Sequence, residues 1–181
     1  EYQHWMEQNG LADGAEDLRV YELMDMLRSD KLTVALVAEF SRGKTELINA
    51  IFFADYKQRL LPSEAGRTTM CPTELLYDDK LEPCIRLLPI ETRASSTTIA
   101  EYKRTPVQWT TLPLHLESPK EMTETLREIM KTKPVPVREA QKLGLYHPTH
   151  DIPAQANGLI DIPVWRHAVI NYPNPLLKQG L

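Results

Sequence analysis

Eight consecutive residues, Ala38-Glu39-Phe40-Ser41-Arg42-Gly43-Lys44-Thr45, bring together the groups needed to hold a phosphate ester. They fit the phosphate-binding loop pattern, except that Ala38 stands where the first glycine is usual. In such a loop successive backbone N–H groups converge on one point, and the helix that follows adds the partial positive charge of its N-terminus. Lys44 supplies a point charge to the outer phosphates, and Thr45 a hydroxyl to the magnesium ion that bridges them. Ala38 keeps the loop compact if its position does not demand a positive φ.

Chemistry of this kind requires a strand before the loop and a helix after it. Leu32 to Val37 is an apolar run, rich in β-branched residues and about as long as one buried strand. Beyond the loop, Leu47, Ile48 and Ile51 recur at helical spacing with Ala50 on the same side. The expectation is therefore strand, phosphate loop, helix.

Composition narrows the class. A chain of 181 residues is one domain, or one domain plus a fragment. Hydrophobic residues make up 42% and charged residues 25%, as in ordinary globular proteins. A net charge of −4 without a dense Lys/Arg cluster argues against a nucleic-acid partner. No apolar stretch is long enough to span a bilayer and no signal peptide opens the chain, although a start at Glu1 leaves room for residues upstream. Cys71 and Cys84 are too far apart for a CxxC motif and read as two reduced thiols of a cytosolic protein. Of five histidines, His147 and His150 are close together, but no carboxylate or cysteine completes a metal site; all are expected at the surface.

The remaining elements follow from periodicity. A short helix carrying Tyr2, Trp5 and Met6 closes near Asn9-Gly10. An amphipathic helix over Ala15 to Arg28 has Val20, Leu23, Met24 and Leu27 on one side, with Asp13 and Glu16 as a capping box. Thr73 to Tyr77 and Cys84 to Ile90 read as strands, and their close spacing predicts a hairpin. Ser95 to Tyr102 and Val107 to Leu112 alternate like short strands or an extended insert. Ser118-Pro119-Lys120-Glu121 starts a helix whose apolar face is Met122, Leu126, Ile129 and Met130. Pro134 and Pro136 end it, Val137 to Leu143 forms a second short helix closed by Gly144, and residues 145 to 157 read as loop. Val164 to Ile170 is strand-like and leads into the turn Tyr172-Pro173-Asn174-Pro175. Asp161-Ile162-Pro163-Val164 imitates a D-x-x-G motif but is rejected, because Val164 replaces the glycine whose N–H would face the outer phosphate.

Two stretches carry a family resemblance. AEFSRGKTELINAIF followed by LLPSEAGRTTMCPTEL resembles the nucleotide-binding domain of bacterial dynamin-like large GTPases, over about residues 32 to 76. The stretch 159 to 181, with its Y-P-N-P-L-L turn, resembles the segment that in this family precedes a short apolar strand ending in D-T-P-G. The resemblance implies an α/β fold of the P-loop NTPase type. It has a mostly parallel sheet with a hairpin at one side and flanking helices, incomplete here because the D-x-x-G and base-reading motifs are not in the chain. Residues 1–30 would form a helical segment belonging to a bundle, and 31–181 the N-terminal portion of the GTPase domain. D-[TL]-P-G is expected within about ten residues after Leu181, on a sheet strand that ends at the phosphate.

The implied activity is GTP binding and hydrolysis with magnesium, coupled to self-assembly through the GTPase domain and to membrane remodelling, in the cytoplasm or at the inner membrane. In that scheme residues Ala38 to Thr45 bind the nucleotide, and Thr45 and Thr69 serve the metal. Thr69, three residues before Pro72, closes on the outer phosphate and helps fix the attacking water, with Thr68 as its neighbour. Eukaryotic relatives have a glutamine where Phe40 stands; Phe40 cannot hydrogen-bond through its side chain, and Ser41 and Arg42 are the candidates for balancing transition-state charge. Two other readings stay open: a P-loop ATPase or kinase of another family, and a non-catalytic nucleotide-binding module, which Ala38 and Phe40 favour. The 181 residues alone are expected to bind nucleotide weakly and to turn over none.

Overall fold

A computed structural model describes residues 4–5, 8–10, 20, 23–24, 32–37, 43–61, 71–148 and 157–181, and within them the fold is mixed α/β. Strands β1 (Thr73–Leu76), β2 (Cys84–Pro89), β3 (Thr110–Pro113), β4 (Thr132–Pro136), β5 (Leu159–Pro163) and β6 (Trp165–Asn171) form two sheets. The larger has the order β1-β6-β2-β3. Its middle strands are apolar on both faces, as strands covered on both sides must be. Ile85, Leu87, Ala168 and Ile170 serve one face; Leu88 and Val169 serve the other, and all six are buried.

Two expectations are corrected here. β6 pairs parallel with β1, Thr73 opposite Ala168, but antiparallel with β2, Ile85 opposite Ile170, and β2 pairs antiparallel with β3. The sheet is thus mixed rather than mostly parallel. Nor do β1 and β2 form a hairpin, because β6 lies between them. Asn171, at the end of β6, explains how the connection crosses over. Its Oδ1 accepts the Asp78 N–H at 2.8 Å, and its Nδ2 donates to the carbonyls of Asp78 and Leu81 at 3.1 and 2.9 Å. A buried amide (2% exposed) thereby satisfies the turn it holds.

Helices α1 (Lys44–Phe52) and α3 (Pro119–Leu126) cover one face, where Phe53, Met122 and Leu126 pack with the β2 and β6 side chains. Ser118 caps α3 as expected, its Oγ accepting the Glu121 N–H, and a 3₁₀ turn, Arg127–Met130, delivers Ile129 to the same core. On the opposite face, Tyr102 of α2 (Ile99–Lys103) packs against Leu88, Trp109 and Val169. The extended reading of Ser95 to Tyr102 therefore fails from Ile99 onward. Thr98 Oγ1 accepts the Glu101 N–H at 3.3 Å and the Glu101 carboxylate accepts the Thr98 N–H at 2.6 Å, a capping box that starts a helix.

β4 and β5 pair antiparallel and, with α4 (Val137–Lys142), enclose a second small core of Ile90, Val135, Ala140, Leu143 and Ile162. The Val164 N–H donates to the Lys131 carbonyl at 2.9 Å. With Thr132 opposite Pro163, that bond places Pro134 and Pro136 at positions that do not bond to β5, where a missing N–H costs nothing. α4 closes as expected at Gly144, whose φ of +66° suits a residue without a Cβ.

At the N-terminus, His4, Trp5 and Gln8 are helical and the Asn9 N–H closes on the Trp5 carbonyl, in line with the short helix expected there. Val20, Leu23 and Met24 are helical too; Asp13 and Glu16 lie outside the described residues. No described helix is long and apolar enough to cross a membrane. The stretch 32–37, expected as a buried strand, joins neither sheet, and all six residues are exposed. The Leu32 N–H donates to the Gly180 carbonyl at 2.6 Å, but no described strand runs beside the rest of the segment. An apolar pattern makes a strand only where a neighbour supplies the ladder.

Candidate functional site

Of the candidate phosphate loop, Gly43 and the first turn of α1 are the described part. Gly43 precedes it with φ +80° and ψ 11°, and its carbonyl accepts the Leu47 N–H at 2.9 Å, the first bond of the helix. That left-handed conformation costs an L-residue about 1–2 kcal/mol, so the sequence puts glycine there. As the residue at the N-cap, Gly43 has no side chain to occupy the first-turn N–H groups, the groups an anion takes up. Lys44 and Thr45 follow at once on the first turn, both half-buried. Glu46 is turned aside: its Oε2 pairs with Arg59 Nε at 3.0 Å. Ala38, Glu39, Phe40, Ser41, Arg42, Thr68 and Thr69 lie outside the described residues.

The helix does not turn to the core the face that its spacing predicts. Leu47 and Ile51 are 48% and 42% exposed, and Ala50 is exposed as well. Ile48 and Phe52 pack on the core, and the buried residue of α1 is Asn49. Asn49 Oδ1 accepts the N–H groups of Leu60 and Leu61 at 3.2 and 2.9 Å, and its Nδ2 donates to the Leu61 carbonyl at 2.9 Å. With its amide satisfied, the polar residue can be buried where a leucine was expected. The signal for it was present: asparagine is a poor helix-interior residue, and one between Ile48 and Ala50 calls for a tertiary partner. At the other end of α1, Asn174 caps α5 (Pro175–Lys178) with its Oδ1 and donates from Nδ2 to the Phe52 carbonyl at 3.1 Å.

Beneath α1 lies a cavity of about 80 Å³ between Thr45 and Ile48, Thr73 and Leu75 of β1, and Leu126 and Ile129. Its walls are mainly apolar, so it suits neither a phosphate nor a cation. Among the described residues no cluster of three His, Cys, Asp or Glu side chains could hold a metal ion. Magnesium in phosphoryl-transfer sites keeps several waters and takes one or two protein oxygens beside the phosphates. Thr45, a hydroxyl on the first turn after Gly43, fits that demand.

The titratable residues gather elsewhere. Glu74 alternates along β1 with Thr73 and Leu75, which line the cavity, and so faces the α2 side of the sheet. His167 Nε2 lies 2.9 Å from Glu74 Oε1, and Lys103 Nζ donates to both carboxylate oxygens at 2.8 and 2.6 Å. The hydrogen bond to His167 is the largest cause, and Lys103 adds to it; against the opposing effect of burial they hold the Glu74 carboxyl down to about 2. This cluster ties β1, β6 and α2 together and corrects the surface reading of the histidines: His167, on a central strand, is buried. His4, His115 and His147 are exposed, as expected. Cys71 and Cys84 are free and buried; burial pushes the Cys71 thiol up to about 12 and raises that of Cys84 as well, which leaves both poor nucleophiles. Asp161 sits on β5 opposite Pro134, in the smaller sheet and away from α1's strands. Comparison of the chain with the models of known families, with curated proteins and with solved structures finds no match.

Proposed function

We propose that this chain supplies the phosphate-binding part of a GTPase domain similar to that of bacterial dynamin-like large GTPases. The observation that carries the reading is the left-handed Gly43 followed directly by Lys44 and Thr45 on the first turn of α1. A positive φ at that glycine, with a cation and a hydroxyl next in line, is what the phosphate-loop pattern demands of its last three positions. The finer fold belongs to the proposal too: a P-loop NTPase-type sheet in which 31–181 is the N-terminal portion and 1–30 a helical segment of its own.

In this scheme the N–H groups at the start of α1 and the Lys44 ammonium bind and orient the outer phosphates. The Thr45 hydroxyl would hold magnesium, whose charge would offset the one that develops on the transferred phosphate. On the resemblance, Thr69 would help fix the attacking water, and Ser41 and Arg42 would be the candidates for balancing the remaining charge. Self-assembly through the domain, and action in the cytoplasm or at the inner membrane, follow from the same reading.

Isothermal titration of the full-length protein with magnesium and GTP, GDP or ATP tests it. Both guanine nucleotides should bind, and ATP at least about tenfold more weakly, a difference of about 1.4 kcal/mol. Equal affinity for ATP would favour a P-loop ATPase or kinase, and no nucleotide binding would end the proposal.

A further inference from the structure

A glutamate three residues after a helix N-cap can reach back and accept the N-cap N–H. In α2 it does so: the Glu101 carboxylate accepts the Thr98 N–H at 2.6 Å. In α1 the same position is Glu46, three residues after Gly43, and it makes no such bond. Its Oε2 pairs with Arg59 Nε at 3.0 Å, while Oε1 has no hydrogen-bond partner among the described residues. The Arg59 guanidinium therefore holds the acidic group of α1's first turn away from the Gly43 N–H, one of the donors that an anion at this helix start would take up. Charge points the same way. Lys44 and Glu46 cancel one another, and Arg59 restores a net positive charge beside the first turn.

We propose that Glu46 and Arg59 form a latch on the phosphate site: Glu46 competes with phosphate for the start of α1, and Arg59 is the positioning residue that keeps it turned away. The inference rests on the GTPase reading and deepens it. Arg59 touches neither nucleotide nor metal in this scheme; it acts through the Glu46 carboxylate. Without Arg59 that carboxylate swings back to the Gly43 N–H, as Glu101 does to Thr98, and caps α1 where the phosphate would bind. The helix exchanges one partner for another, so affinity falls while stability hardly changes. The two side chains are 68% and 41% exposed, and an exposed pair adds little to stability in any case.

The experiment measures GDP affinity by isothermal titration with magnesium, and thermal unfolding, for the full-length protein and its Arg59→Ala, Arg59→Lys, Glu46→Ala and Glu46→Ala/Arg59→Ala variants. Arg59→Ala should weaken GDP binding about fivefold, the equivalent of one helix cap, with an unfolding temperature close to that of the wild type. Arg59→Lys should recover part of the affinity. Glu46→Ala should bind GDP at least as well as the wild type, and the double variant should return to within about twofold of it, because the competitor is gone. Unchanged affinity in Arg59→Ala overturns the inference. So does a double variant as weak as Arg59→Ala, since Arg59 would then act on the nucleotide or on the fold and not through Glu46. A wild-type protein that binds no guanine nucleotide overturns the GTPase reading itself, a result distinct from normal GDP binding in Arg59→Ala.

Discussion

On the α1 side of the larger sheet, Ile85, Leu87, Ala168 and Ile170 pack against Phe53, Met122 and Leu126. On the α2 side, His167 and Lys103 both bond to Glu74, Arg86 lies over the Trp109 ring at 5.4 Å and Arg166 over the Tyr102 ring at 5.6 Å. Both faces bury apolar area, Leu88, Trp109 and Val169 on the second, and the second adds charge pairing at its margin. The proposed phosphate site is on the first side, and the strongly shifted carboxylate on the second. A shifted carboxylate flags a functional site only as a tendency, because structural ion pairs shift carboxylates too. Phosphoryl transfer is carried mainly by positioning and by positive charge. In the proposed site, Gly43, Lys44 and Thr45 would meet that need without a shifted acid.

The contrast can be broken from either side. Leu87→Ala empties a fully buried position on the α1 face and should cost about 2–5 kcal/mol, seen as a drop in the denaturant midpoint that is much the same at every pH at which the protein is folded. Glu74→Gln should act less, and in a pH-dependent way. The folded carboxyl is held at about 2, below its ordinary 4.5. Its stabilising effect is therefore present above about pH 4.5 and is lost as pH falls towards about 2. Wild type should lose stability relative to Glu74→Gln across that window, in denaturant melts at several pH values. A constant difference between the two proteins would show that the Glu74 cluster contributes no charge-dependent stability.

Local pattern made several elements legible. The Ser118 cap and its helix, the short helix closed by Gly144, and the apolar runs of β1, β2 and β6 all follow from residue spacing. The insertion of β6 between β1 and β2 did not, because a pairing between strands ninety-odd residues apart leaves no mark in a short window, whereas two nearby strands invite a hairpin. The clips made by Asn49, Asn171 and Asn174 were hidden for the same reason: each amide bonds a backbone that its own neighbours do not predict. Thr98-Ile99-Ala100-Glu101 was readable as a capping box but was masked by the β-branched alternation around it. Of the candidate site, the helix start was legible, because Gly43-Lys44-Thr45 ends the loop pattern and apolar residues recur at helical spacing after it, whereas the φ of +80° at Gly43 comes from the structure. The outward turn of Leu47 and Ile51 was not, since spacing fixes which residues share a face but not which face meets the sheet.

The central claim, that Lys44 and Thr69 act on the same nucleotide in different steps, is tested most directly by steady-state phosphate release measured beside GDP titration in the full-length protein. Lys44→Ala removes the charge proposed for the outer phosphates, so affinity and rate should both fall. Thr69→Ala should leave GDP binding nearly unchanged and reduce hydrolysis about a hundredfold or more, roughly 3 kcal/mol of transition-state stabilisation. Thr68→Ala should do much less. Equal losses from the two threonine variants would place the switch residue wrongly, and full turnover in Lys44→Ala would contradict the account as a whole.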